Sequence, residues 1–348
     1  MEIEKISGSA FLPFPECKAF MLDEFASRLG VDTNSRKEYG DLVYLPSYSA
    51  DCATASATAS ATESATESAS SSSTPRFLPY FCATALLEPF IVKFNSIGEA
   101  ANALKGIQRS WAPYSFSNHR RQTLIQEKLP YIPLKPRNFP VKIPQSPMGF
   151  YTLLDEHTLL ASASTSSCIP LGTLNFEEDH ENPPSRAYLK IQEALTLFNH
   201  FFGDELPSKE SLCFEAGACP GGWTYVLTLL GARVFAVDRS PLAPSLMENP
   251  LVTFSAHDAF TLKPSDVREA LGGDPDWILS DVICYPERLL QWVKTWLESG
   301  IKFNMICTIK MQGGINWQAA EEFASLPNSR VVHLHYNKHE LTFLMRNK

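Results

Sequence analysis

From residue 185 onward, short apolar runs alternate with stretches whose apolar residues recur at helical spacing. The runs Leu212–Glu215, Arg233–Asp238, Leu251–Ala256, Trp277–Asp281, Asn304–Lys310, Arg330–Tyr336 and Leu341–Met345 read as strands. A helix capped by Ser185 and reaching about Phe202 precedes them, and further helices fall between most of them. Near-continuous apolar strands alternating with helices predict an α/β fold with a doubly wound, Rossmann-like parallel sheet and a hairpin at its end.

The front of the chain carries a different pattern. Ser9–Leu12 reads as a strand, followed by an amphipathic helix over Pro15–Leu29 with Phe20, Met21, Phe25 and Leu29 inward and Gly30 as its stop; Leu42–Leu45 reads as a second strand. The pattern recurs with a strand at Phe90–Phe94, a capping box at Ser96 and Glu99, helical spacing of Ala100, Leu104 and Ile107, and a strand over Trp111–Phe116. Strand-helix-strand twice predicts a smaller α+β, ferredoxin-like accessory domain over residues 1–116. Residues 49–74 are nearly all Ala, Ser and Thr and include the tandem Ala-Thr-Glu-Ser of 61–68. With almost nothing to bury, they read as a disordered insertion between the two halves. Prolines at 130, 133, 136, 140, 144 and 147 break up the next stretch, and Gly149–Leu154 with Thr158–Ala163 reads as a hairpin. Residues 117–180 are therefore expected to be a partly β connector, and 181–348 the parallel-sheet domain.

Composition narrows the classes. The 348 residues are 44% hydrophobic, enough for at least two cored domains. No uncharged apolar run approaches the ~18 residues of a membrane span, and the start Met1-Glu2 has no apolar leader behind it, so a soluble, cytoplasmic protein is expected. The eight cysteines form no C-x-x-C pair, and no structural metal is expected. A net charge of −8 argues against a protein that coats nucleic acid non-specifically. Locally, however, Arg120, Arg121, Lys128, Lys135, Arg137 and Lys142 face the single acid Glu127 across residues 119–142, with Tyr131 and Phe139 interleaved. That stretch suits RNA phosphates as well as it suits a solvated surface.

The chemistry concentrates in Glu-Ala-Gly-Ala-Cys-Pro-Gly-Gly-Trp, residues 215–223, where a strand opens through a turn onto a helix. Glycines at such a turn let backbone N–H groups approach a ligand. Their spacing, Gly217 then Gly221 and Gly222 after Pro220, is not the G-x-G-x-x-G of a dinucleotide loop. It favours a nucleoside-type cofactor without a pyrophosphate; a turn that only packs the helix on its sheet is the alternative. Ligands of such sheets bind beyond the carboxyl ends of the strands, which puts the loop, Asp238, Asp258, Asp281 and Lys310 on one edge. Asp238 could accept both ribose hydroxyls and Asp258 an adenine amino group, or each could cap a helix. Lys310 ends an apolar strand, where a cation is costly without a partner. Lys190 lies on a helix, where most lysines are solvated.

Taken in order, Ser185-Arg186-Ala187-x-x-Lys190-x-x-Glu193, the loop Gly217–Trp223, Ser280-Asp281, Ile309-Lys310 and His339-Glu340 resemble the motifs of the FtsJ-like RNA 2′-O-ribose methyltransferases. The resemblance spans roughly 185–348. Its Cys-Pro-Gly-Gly-Trp version is most similar to the branch that methylates a cytidine ribose in bacterial 23S ribosomal RNA, which carries ferredoxin-like and THUMP domains in front. It implies a reduced THUMP-like RNA-binding region within 117–180, and the family's Lys-Asp-Lys-Glu set falls on Lys190, Asp281, Lys310 and Glu340. It further implies S-adenosylmethionine as methyl donor, held by Ser185, Gly217, Cys219, Pro220, Gly221, Gly222, Trp223, Asp238, Asp258 and Asp281. Lys310 is the expected general base, Lys190 supplies a neighbouring charge, Asp281 orients Lys310, and Glu340 holds Lys190 or the substrate ribose. Other RNAs (tRNA or an mRNA cap) and a catalytically vestigial RNA-binding protein are the alternatives. A nicotinamide-dependent oxidoreductase is disfavoured by the glycine spacing.

Overall fold

The computed structural model describes residues 2–50 and 78–348, so that residues 51–74 of the expected insertion lie outside the described residues. The chain divides into two units, Met1–Pro136 with Ile143–Asn175, and Arg137–Lys142 with Phe176–Lys348.

The first unit contains β1 (Glu2–Lys5), β2 (Ser9–Pro13), α1 (Lys18–Ser27), β3 (Lys37–Tyr39), β4 (Leu42–Leu45), β5 (Cys82–Leu86), β6 (Phe90–Lys93), α2 (Ile97–Ile107), β7 (Trp111–Pro113), α3 (His119–Gln126), β8 (Gly149–Leu153) and β9 (Thr158–Ser162). The strands form two sheets, ordered β3-β4-β2-β5 and β1-β6-β9-β8-β7. Ala10, Leu12, Leu42 and Tyr44 of the first sheet pack on Phe150 and Leu160 of the second. Ala100 and Leu104 of α2 and Ile125 of α3 cover the second sheet's other face, over Trp111, Tyr151 and Leu159. Ser96 caps α2 as expected, accepting from the Glu99 N–H, while the Glu99 side chain reaches back one residue further than in a capping box and accepts from the Asn95 N–H.

This division differs from the one expected. The two strand-helix-strand halves contribute to separate sheets rather than one ferredoxin-like sheet, and the 149–162 hairpin is no connector. It fills the gap between β6 and β7, pairing antiparallel with β6 and parallel with β7. The reason is burial: β8 is buried at every position and β9 at all but its first, so both faces need cover that an isolated hairpin lacks.

The second unit contains α4 (Ala187–Phe202), β10 (Leu212–Ala216), α5 (Gly222–Leu229), β11 (Arg233–Asp238), α6 (Pro244–Met247), β12 (Val252–Ala256), α7 (Pro264–Leu271), β13 (Trp277–Ser280), α8 (Pro286–Glu298), β14 (Phe303–Ile309), α9 (Trp317–Ala324), β15 (Ser329–Val332) and β16 (Leu341–Asn347). They build one seven-stranded sheet, ordered β12-β11-β10-β13-β14-β16-β15. Strands β12 to β14 run parallel, and β16 lies antiparallel between β14 and β15. Phe214 contacts the rings of Phe235, Trp292 and Trp296, which seals α8 onto the sheet. All seven residues of β14 are buried. The parallel strands end together, so the residues following Ala216, Ser280 and Ile309 emerge on one edge beside Asp238. The expected strand to Tyr336 stops at Val332 because the backbone beyond it turns to other partners.

Candidate active site

At the end of β10 the chain leaves the sheet through Gly217, at φ +78°, whose N–H donates to the Val237 carbonyl at 2.9 Å. A Cβ there would lie 2.6 Å from a Val282 methyl and 3.0 Å from the Val282 backbone, so only glycine fits. Gly222 opens α5 against the start of α4; a Cβ would meet Ser185 Oγ at 2.5 Å and the Tyr188 nitrogen at 3.2 Å. The packing role is therefore real, but it leaves Gly217, Cys219 and Pro220 partly open along the turn. Gly221 and Trp223 are buried beneath it, Trp223 as a core side chain rather than a surface available to a ligand.

Asp238 ties β11 to this loop. One carboxylate oxygen accepts from the Cys219 N–H and the other from the Ser240 N–H, both at 3.0 Å, which leaves lone pairs on each. Asp258 accepts from the Phe260 N–H at 3.1 Å and pairs with Arg239 at 2.7 Å and Arg288 at 3.3 Å. Burial acts to raise its carboxyl, but the two guanidiniums and the N–H hold it below the usual range. Ser185 does not cap α4, whose N-cap is Arg186; its hydroxyl is buried without a hydrogen-bond partner beside Gly222. An orphaned hydroxyl, an open glycine turn and a carboxylate with free lone pairs, grouped on one strand edge, fit the amino-acid and ribose parts of an S-adenosyl nucleoside.

Next to the loop, four charges meet. Lys190 on α4 places Nζ 2.7 Å from Glu340 Oε1 and 3.6 Å from Asp281 Oδ1. Lys310, just past β14, places Nζ 2.6 Å from the same Asp281 oxygen and 3.7 Å from the same Glu340 oxygen. Each carboxylate oxygen thus bridges both lysines, and the ring of four is electrically balanced. Its side chains are only 9% to 20% exposed, so the charges interact with little solvent between them. Burial would raise the Glu340 carboxyl, yet Lys190 and then Lys310 outweigh it and hold it at about 2. The four residues come from four separate segments, and their convergence is what an isolated helix lysine could not show.

A second layer positions Glu340. Glu193, three residues beyond Lys190 and 2% exposed, accepts from the backbone N–H groups of His335 at 2.9 Å and Tyr336 at 3.2 Å. Burial pushes its carboxyl up to about 8 against the pull of those two bonds. Asn337 donates to the Glu340 carbonyl at 3.1 Å and to Thr342 Oγ1 at 3.0 Å. These bonds take the backbone that would have extended β15. A second buried acid, Glu215, accepts from the Thr224 hydroxyl at 2.6 Å and is likewise pushed up to about 8. Neither acid was among the site residues expected from the sequence, although both stand out as carboxylates within apolar elements.

The basic stretch divides between the two units. Arg120 and Arg121 lie on α3, and with Lys128 and Lys135 they belong to the first unit, whereas Arg137 and Lys142 belong to the second. Arg120, Lys128, Lys135 and Lys142 are exposed; the Arg121 guanidinium lies 5.6 Å from the centre of the Phe94 ring. Among the described residues, no three His, Cys, Asp or Glu side chains are grouped to hold a metal ion, and no helix is long and apolar enough to cross a membrane.

Comparison with known proteins bears on this edge. Residues 183–303 match the model of the FtsJ-like methyltransferase family. The ribosomal RNA large subunit methyltransferase M of Xanthomonas axonopodis pv. citri is 31% identical over 261 residues, 71% of this chain and 68% of that protein. The protein of the same name from Pseudomonas syringae pv. syringae is 35% identical over 156 residues, which are 44% of this chain and 41% of its own length. Among solved structures, a putative hemolysin from Streptococcus thermophilus superposes with a TM-score of 0.38 at 21% identity, over 52% of this chain and 73% of that one. That likeness is too distant to bear on function.

Proposed function

Since the chain belongs to the family of the ribosomal RNA large subunit methyltransferase M proteins, we propose that it transfers a methyl group from S-adenosylmethionine to a ribose 2′-hydroxyl of large-subunit (23S) ribosomal RNA, at a cytidine. The observation that carries this reading is the balanced ring of Lys190, Asp281, Lys310 and Glu340 beside the glycine turn. The matched region covers about two fifths of several relatives, 41% of the Pseudomonas syringae pv. syringae protein, so activity and substrate are proposed here.

S-adenosylmethionine supplies a methyl group on a positively charged sulfur. Ser185, the Gly217 to Gly222 turn, Asp238 and Asp258 would hold it, with Asp281 at its reactive end and Trp223 supporting the turn from the core. A ribose hydroxyl is a weak nucleophile until its proton is removed, and a positioned base contributes roughly 10²–10⁴-fold. Lys310 Nζ, acting as the neutral amine, would take that proton and free the oxygen to accept the methyl group, becoming the ammonium that Asp281 and Glu340 face. Asp281 fixes the direction of Lys310, and Glu340 fixes Lys190, which holds a positive charge against both carboxylates. Confining the hydroxyl in line with the methyl group accounts for up to ~7–11 kcal/mol of barrier reduction, so the rigidity of the ring matters as much as proton removal. The exposed Arg120, Lys128, Lys135 and Lys142, with Arg121 and Arg137, are proposed RNA-phosphate contacts.

The test is transfer of labelled methyl from S-adenosylmethionine to unmethylated 23S rRNA, followed by mapping of the modified nucleotide. A single 2′-O-methylcytidine is expected. Methylation of tRNA or of capped mRNA in place of 23S rRNA would refute the substrate, and no transfer to any RNA would refute the activity.

A further inference from the structure

The segment joining β13 to α8 alternates in burial. Asp281 and Val282 are half-buried, Ile283 is 80% exposed, Cys284 is 6% exposed, Tyr285 is 63% exposed, and Pro286 is buried as the first residue of α8. The inward residues pin the segment. Val282 lies against the Gly217 backbone, and Cys284 and Pro286 anchor the entry to α8. The outward residues form an apolar pair, an isoleucine and an aromatic ring, on a short stretch whose other side chains hold it fixed. Leaving an isoleucine in water forgoes the stabilisation that burial gives, and here the pair begins two residues after the acid of the charge ring. Tyr285 is four residues from Asp281, so their Cα atoms are at most about 14 Å apart.

We propose that Ile283 and Tyr285 form the platform for the base of the nucleotide whose ribose is methylated. The inference rests on the function proposed above. A 2′-hydroxyl delivered to Lys310 and Asp281 carries its base on the adjoining carbon, and that base has to leave its stack in a folded RNA to bring the ribose into the site. An aromatic face offers every base a replacement for the lost stacking, independent of its hydrogen-bonding edge. A pinned segment does so without first having to order itself.

The experiment uses the full chain and the shortest 23S rRNA fragment that it methylates. Tyr285→Ala is expected to lower kcat/KM by about 5- to 150-fold, mainly through KM, the range that loss of one stacked base gives. Tyr285→Phe keeps the ring and is expected to stay within about 3-fold of the unaltered protein. Binding of S-adenosylhomocysteine, followed by calorimetry, stays unchanged in both, which separates the platform from the cofactor site and from misfolding. A fragment made abasic at the methylated nucleotide supplies the second arm. If the platform takes that base, Tyr285→Ala costs nothing further on the abasic RNA; if the two losses multiply, the platform serves some other group and the inference falls. Full activity of Tyr285→Ala also overturns it. Failure of the unaltered protein to methylate any RNA would instead overturn the proposed function.

Discussion

Asp281 and Lys310 follow neighbouring parallel strands, β13 and β14, and meet at 2.6 Å beyond their ends. Neither can move independently, since each is also within 4 Å of a charge held by another segment, Asp281 of Lys190 and Lys310 of Glu340. The sheet fixes this geometry.

Gly217 should tolerate no side chain. Gly217→Ala forces a non-glycine residue to φ +78° and drives a Cβ into Val282, where backbone as well as side chain is in the way. A destabilisation of roughly 1–3 kcal/mol is expected from overpacking and backbone strain together. Affinity for S-adenosylhomocysteine, measured by calorimetry, should fall by about 10-fold or more, the equivalent of ~1.4 kcal/mol. Unchanged affinity would mean that the turn serves packing alone.

Glu193 should behave as a positioning residue for Glu340. Glu193→Ala leaves the His335 and Tyr336 N–H groups without their buried acceptor, a loss on the order of 1–3 kcal/mol. Methyl transfer should then lose mainly kcat, with KM for RNA and cofactor affinity nearly unchanged, because the variant displaces Glu340 rather than a binding contact. Equal losses in kcat and cofactor affinity would point to general unfolding instead.

Stability should fall as pH rises from about 5 to about 8. Glu193 and Glu215 each titrate near 8 when folded, against about 4.3 for a free glutamate, so the folded chain binds more protons than the unfolded chain across that window. Their favourable contribution is complete below the unfolded value and is lost as pH climbs through the folded one. Glu340 acts in the opposite sense: held at about 2, it stabilises above pH ~4.5 and loses that contribution as pH falls towards 2. Thermal melts of Glu215→Gln should show a shallower decline between pH 5 and 8 than the unaltered chain. An identical slope would place the titrating acid elsewhere.

Much of the second unit was legible because its central strands, buried on both faces, read as apolar runs; the β11 bounds Arg233–Asp238 and the position of Lys310 just past β14 follow from that pattern. The partners of the 149–162 hairpin were not legible, since a strand's own residues show that it is buried but not by what. Nor did the sequence show where β15 ends. Val331 continues an apolar run, while the distant Glu193 takes the His335 and Tyr336 N–H groups and Asn337 bonds the Glu340 carbonyl and Thr342 beyond it. Lys190 and Glu340 are 150 positions apart, and ordinary helix and loop patterns surround both; motif order alone linked them before the 2.7 Å contact did. Ser185 looked like a helix cap, but the close approach of Gly222 turns its hydroxyl away from that role.

The central claim is that Lys310 removes the ribose proton at a site whose cofactor half stands without it. Its most direct test is Lys310→Ala, with S-adenosylhomocysteine binding by calorimetry and methyl transfer to 23S rRNA measured on the same preparation. Binding within about 3-fold of the unaltered protein, with transfer reduced by at least roughly 10²-fold, is the predicted result. Transfer at the unaltered rate would contradict the account.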